Sequence, residues 1–217
     1  ATEQLAALSS AQIGAIEVSD IKVLTSAQVR ALSTDQIGVL SSSQVAALTT
    51  AQLVAMEVGD LAELSAVAIR GLNALQVSKL LTEQIVALTT AQVSNLSAVQ
   101  VAALTTEQVS KLEGADLAVI STAAIAGMST AQVASLQVAQ IDDLTTAQIR
   151  AIETADIQVL GTAQVHALTT AQIDALSIPQ TVALSTAQVA ALTTPLSASQ
   201  LIGREIGSLT PAAIALL

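Results

Sequence analysis

The sequence predicts an all-α solenoid, a superhelical rod of very short helices with one helix per eight-residue repeat. Three observations predict it. Leu, Ile or Met stands at every multiple of eight from Leu8 to Leu192, 24 positions without exception. A second apolar slot, mostly Val or Ile, follows five residues later, from Ile13 to Val189, and only Thr181 breaks it. Between the two, Ser or Thr is followed three residues on by Gln, as at Thr89 and Gln92.

The period of eight excludes simpler backbones. In one continuous α-helix, eight residues leave the Leu slot about 80° further round each time, so the apolar stripe would wind around the whole helix. In a straight strand Leu would share a face with Gln, and Val/Ile would face the other way. Ala and Gln are also weak strand formers. The chain must therefore break once per octad.

Each break reads as a helix start. In Leu88-Thr89-Thr90-Ala91-Gln92-Val93, Thr89 fits an N-cap. Its hydroxyl accepts from the Gln92 backbone N–H, and the Gln92 side chain reaches back to the Thr89 N–H. Leu88 and Val93 form the hydrophobic staple across that start. The same arrangement recurs at Ser9/Gln12, Thr25/Gln28, Ser41/Gln44, Thr105/Gln108, Thr145/Gln148, Thr169/Gln172 and Ser185/Gln188. Pro179, Pro195 and Pro211 fall in first turns, where no intrahelical N–H is lost. A helix of one and a half turns cannot stand alone. Equivalent octads must lean on one another, with Leu and Val/Ile lining a common axis and Ala at the third and seventh slots allowing close approach. The alternative is a β-solenoid with octads as faces or corners. Thr–Thr pairs and Val/Ile favour it, while scarce Gly and abundant Ala, Gln and Leu oppose it.

The octads span residues 1–192. After Leu192 the register slips: Leu196 to Leu201 restarts the pattern four residues late, and Leu209 to Ile214 offers a last staple. Residues 193–217 are expected to form an irregular C-terminal cap or junction. The chain opens in register and without Met, as expected of a processed protein or a segment of a longer one, and no signal peptide is visible.

Composition narrows the function. Seven basic residues against seventeen acidic ones give a net charge of −10, and there is no aromatic residue. Nucleic-acid binding is not expected of such a surface. No stretch is apolar enough for membrane insertion. Without Cys, disulfides and thiolate metal sites are excluded. His166 is the single imidazole, in a variable slot, and no phosphate-binding loop or zinc-protease motif occurs. Neither an enzyme nor a cofactor is expected.

Four octads depart together. At Glu17/Asp20, Glu57/Asp60, Glu113/Asp116 and Glu153/Asp156, Glu takes the cap slot and Asp replaces Gln. Paired carboxylates on one side of a rod are candidate Ca²⁺ ligands. The competing reading is an alternative helix start, with acids at the positive end of the helix dipole; no glycine-rich calcium loop accompanies them. Gln is also lost at Ala68 and Ala124, each directly after a Glu/Asp octad.

The octads "HALTTAQIDAL" and "AALTTEQVSKL" resemble repeat tracts of very large secreted or surface proteins of Gram-negative bacteria, labelled haemagglutinin- or adhesin-like. The resemblance covers Gln4 to about Leu192 and carries no site residues. It implies a secreted or cell-surface setting and assembly into fibres. The expected function is a structural repeat protein, a rod, stalk or filament subunit whose partners are other copies of itself or neighbouring repeat domains. The alternative is a binding module, an adhesin or a Thr array facing ice or glycan.

Overall fold

The computed structural model describes residues 2–193. The expected cap at 193–217, with Pro195, Pro211, the Leu196 restart and the Leu209 staple, lies outside the described residues, apart from Thr193 at the end of the last helix. Among the described residues there are twenty-three α-helices, one 3₁₀ turn and no strand. The β-solenoid alternative is thereby overturned. Capped helical turns satisfy most of the backbone within each octad, which leaves no run of donors and acceptors for a strand ladder.

Octad after octad has the same construction. Thr50–Ala55 is helical; Met56 (φ −66°, ψ 140°) and Glu57 (φ −67°, ψ 151°) are extended; Val58–Glu63 is the next helix. Two extended residues redirect the chain without any positive φ. Some helices stop one residue earlier, as at Ala15, Ala31 and Ala87, where the residue after the helix keeps a right-handed helical conformation.

The chain divides into two compact units, residues 1–120 and 121–217. Within each, a helix packs against the helix three octads away: Ser26–Arg30 on Thr50–Ala55 and Thr34–Gly38 on Val58–Glu63 in the first, Thr146–Ala151 on Thr170–Ala175 in the second. A turn of the coil therefore closes in between three and four octads.

The core of each unit is made of the two apolar slots. Ile13, Ile37, Val45, Leu61 and Val93 are fully buried, and Leu40, Leu64, Leu88 and Leu104 nearly so. Burying a Val or Leu side chain contributes roughly 1.5–3 kcal/mol, and most octads of this aromatic-free chain bury two such residues. The two alanine slots differ: seventh-slot residues Ala47, Ala87 and Ala103 are half-buried. Third-slot residues Ala51, Ala91, Ala147 and Ala171 are exposed. The residue that enters the interior beside Val/Ile is Gln.

Candidate functional site

Built from the local sequence upward, the most elaborate chemistry in the chain lies at the Gln slot. The capping boxes form as expected. Thr89 Oγ1 accepts from the Gln92 N–H at 3.3 Å, and Gln92 Oε1 accepts from the Thr89 N–H at 2.8 Å. Ser9/Gln12, Thr25/Gln28, Ser41/Gln44, Thr105/Gln108, Thr145/Gln148, Thr169/Gln172 and Ser185/Gln188 repeat the pair. Pro179 sits in the first turn behind the Ser177 cap.

Each of these Gln side chains has a second end. Gln92 is 1 % exposed. Its Nε2 donates to the carbonyls of Leu61 (2.9 Å), Ala62 (3.1 Å) and Leu64 (2.6 Å). In the first unit Gln44, Gln52, Gln84, Gln100 and Gln108 make the same bridges to carbonyls 31 and 28 residues earlier. In the second, Gln172, Gln180 and Gln188 do so. One amide thus caps its own helix through oxygen and ties it to the turn beneath through nitrogen. We call this row of bridges the amide seam. Gln12 is exposed and Gln28 half-buried; Gln36 is the first to reach a described turn beneath it, at Leu5 and Leu8.

The oxygen end persists where the hydroxyl is missing. Leu81, Gln137 and Gly161 occupy cap positions without a side-chain cap bond, yet their N–H groups donate to Gln84, Gln140 and Gln164. The nitrogen end was not legible from the octad itself. Its signal was present all the same: Gln, a poor core residue, recurs beside Val/Ile in nearly every octad.

The Glu/Asp octads behave differently. Glu17, Glu57, Glu113 and Glu153 hold the extended cap conformation but make no side-chain cap bond. All four are exposed. Asp20 is exposed too, whereas Asp60, Asp116 and Asp156 are buried, at 8, 4 and 3 % exposure. Each Glu points outward while its Asp partner, in the buried cases, faces in. Among the described residues no group of three or more His, Cys, Asp or Glu could hold a metal ion. Thr90 hydrogen-bonds the Asp116 side chain, and Thr130 that of Asp156. Burial holds all three buried Asp above the ordinary carboxyl value of 3.8. Glu57 and Glu63 add to the rise at Asp60, and the Thr hydroxyls offset part of it at Asp116 and Asp156, where Glu113 and Glu153 add to it again.

The two octads that lose Gln differ from one another. At Ala68, 1 % exposed, the helix becomes the 3₁₀ turn Ala68–Gly71, capped by Ser65 Oγ on the Ala68 N–H. That turn rests on Ser42–Ala47 so closely that a Cβ on Gly71 would run into the Ser42 carbonyl. Ala124 keeps a helix, with Ser121 as cap.

The outer face carries the variable slots. His166 is exposed, with Nδ1 3.3 Å from the Ala191 carbonyl 25 residues on. Arg30 Nε donates to the Ala55 carbonyl at the same offset. Arg70 and Lys79 are exposed. In the second unit Thr122, Thr146 and Thr170 are exposed on helices that contact one another in succession. No helix among the described residues is long and apolar enough to cross a membrane.

Comparison with known families finds one repeat type along most of the chain. A family model described as the ALTTAQ repeat matches residues 13–50, 53–90, 82–113, 109–146, 149–186 and 166–194. No curated protein matches.

Proposed function

Since the chain belongs to the ALTTAQ repeat family, we propose that it is a structural repeat protein, a spacer, stalk or filament subunit at the bacterial cell surface or outside the cell. Its partners in this reading are further copies of itself or neighbouring repeat domains, and it performs no catalytic step. The observation that supports the reading is the amide seam. The same side chain closes the same main-chain contact in octad after octad, which suits a part whose purpose is extent. The surface setting rests on the likeness of "HALTTAQIDAL" to tracts of secreted haemagglutinin- and adhesin-like proteins. Two measurements test it. Negative-stain microscopy of the chain with its native flanking sequence, at high concentration, is expected to show elongated or filamentous particles; compact isolated particles alone would refute assembly. Protease treatment of intact cells is expected to remove the repeats; protection until lysis would refute the surface setting.

One observation favours a second reading, a binding module. The exposed Thr122, Thr146 and Thr170 lie on successively packed helices, a row of hydroxyls suited to glycan or ice. The residue before each, Ser121, Thr145 or Thr169, is occupied by its cap, so only the second hydroxyl is offered. Glycan-array binding and thermal hysteresis test it, and loss of either activity in a Thr122→Val, Thr146→Val, Thr170→Val variant would assign the row.

A further inference from the structure

In a Gln octad the seam is closed by a neutral amide that brings donors to two carbonyls of the turn beneath. Asp60, Asp116 and Asp156 occupy that slot and are buried there. By the offsets that Gln52, Gln84 and Gln188 use, the carbonyls below them belong to Val29 and Leu32, to Ile85 and Leu88, and to Ile125 and Met128. An ionised carboxylate brings only acceptors to those carbonyls. The Thr90 and Thr130 hydroxyls that hydrogen-bond Asp116 and Asp156 offset part of this, and among the described residues no hydroxyl does so at Asp60. A protonated carboxyl brings an O–H donor, as the amide brings N–H. We propose that the Asp octads are acid-closing seams: protonation of Asp60, Asp116 and Asp156 tightens the coil at those turns, and ionisation loosens it.

The charged surroundings point the same way. On its own helix Asp156 has Glu153 at the cap. The helices packed on it, Thr130–Ser135 and Ile178–Ala183, carry no ionisable residue, and neither do Thr122–Ala126 below nor Thr186–Thr193 above. Arg150, one octad earlier in the chain, lines a cleft with Glu153. Asp60 has Glu57 and Glu63 beside it, Asp35 and Glu83 on the packed helices Thr34–Gly38 and Thr82–Val86, and Arg30 in the octad beneath, whose Nε is held by the Ala55 carbonyl. Asp116 has Glu113 at its cap and Glu83 in the octad beneath, while the packed helix Thr90–Val93 is uncharged.

The sign follows from linkage. All three groups sit above their ordinary value when folded, chiefly through burial. The stability gained from their protons is fully present below the unfolded carboxyl range, near 3.8, and is lost as pH rises through the folded values. This is opposite to the usual behaviour of an exposed, salt-bridged Asp.

The test is urea unfolding of the full chain, followed by far-UV circular dichroism, from about pH 4 to pH 8, for the wild type and for the variant carrying Asp60→Asn, Asp116→Asn and Asp156→Asn. The wild-type midpoint is expected to fall as pH rises. The variant, with a neutral donor in each slot, is expected to be flatter and to have the higher midpoint at neutral pH. Parallel curves would assign the pH dependence to the other acids and overturn the proposal. Carboxyl-carbon NMR titration of the wild type gives an answer that does not depend on the variant folding. Three Asp titrating above the ordinary carboxyl value of 3.8 is the expected result, and three titrating at or below it overturns it.

Discussion

Replacing Gln92 with Leu removes the amide while keeping apolar bulk in a site that is 1 % exposed. Three groups then lose the partner that Gln92 supplies: the Thr89 N–H, whose acceptor is Gln92 Oε1, and the Ala62 and Leu64 carbonyls, to which Gln92 Nε2 donates. The Leu61 carbonyl keeps the Leu64 N–H at 3.3 Å and suffers less. A buried backbone group left without a partner costs about 1–3 kcal/mol, so the substitution is expected to cost about 3 kcal/mol in all. Replacing Thr89 with Ala removes only a hydroxyl bonded at 3.3 Å, a typical N-cap loss of about 1 kcal/mol. Chemical unfolding of the three proteins, followed by circular dichroism, checks the ratio. Equal losses, or a larger loss for Thr89→Ala, would refute the view that the amide carries the contact between turns.

Other substitutions probe particular octads. Gly71→Ala is expected to destabilise the first unit by about 2 kcal/mol, as overpacking against fixed backbone does, because the added methyl meets the Ser42 carbonyl; a thermal melt unchanged within error would contradict it. Leu81→Thr completes a half-formed capping box at an exposed position and is expected to stabilise by about 1 kcal/mol, read as a raised urea midpoint. Thr181→Ile restores the apolar slot where Thr181, 9 % exposed, bonds its hydroxyl back to the Ser177 carbonyl. It is expected to stabilise by about 1 kcal/mol, and a loss of stability would mean that the back-bond matters more than the burial.

How far the sequence carried depends on how local each feature is. The start at Ser9 is settled within four residues, because its hydroxyl, the Gln12 amide and the staple all act inside one octad. Such features were legible, and so was the burial of Leu and Val/Ile. The bridge from Gln92 to Leu61 spans 31 residues, and its register depends on how much two extended residues turn the chain at every break. Small differences in those dihedrals accumulate over four octads, so no local pattern discloses the partner. The Glu/Asp octads looked like another kind of cap because the two positions changed together. Glu113 does stand at a helix start, exposed and without a side-chain cap bond, and Asp116 is buried in the slot that Gln holds in other octads. The 3₁₀ turn at Ala68–Gly71 was visible only as a lost Gln; the close approach to Ser42 that accompanies it is to a residue 29 positions away.

Because each amide grips main chain rather than a particular side chain, it does not matter which octad lies underneath. Duplicating or deleting eight residues inside a uniform stretch leaves every remaining Gln above an equivalent pair of carbonyls. The exceptions are individually matched contacts, such as Gly71 over Ser42. Length is thereby uncoupled from the side chains of any one octad, since the bridge is written in backbone on one side and in a single recurring amide on the other.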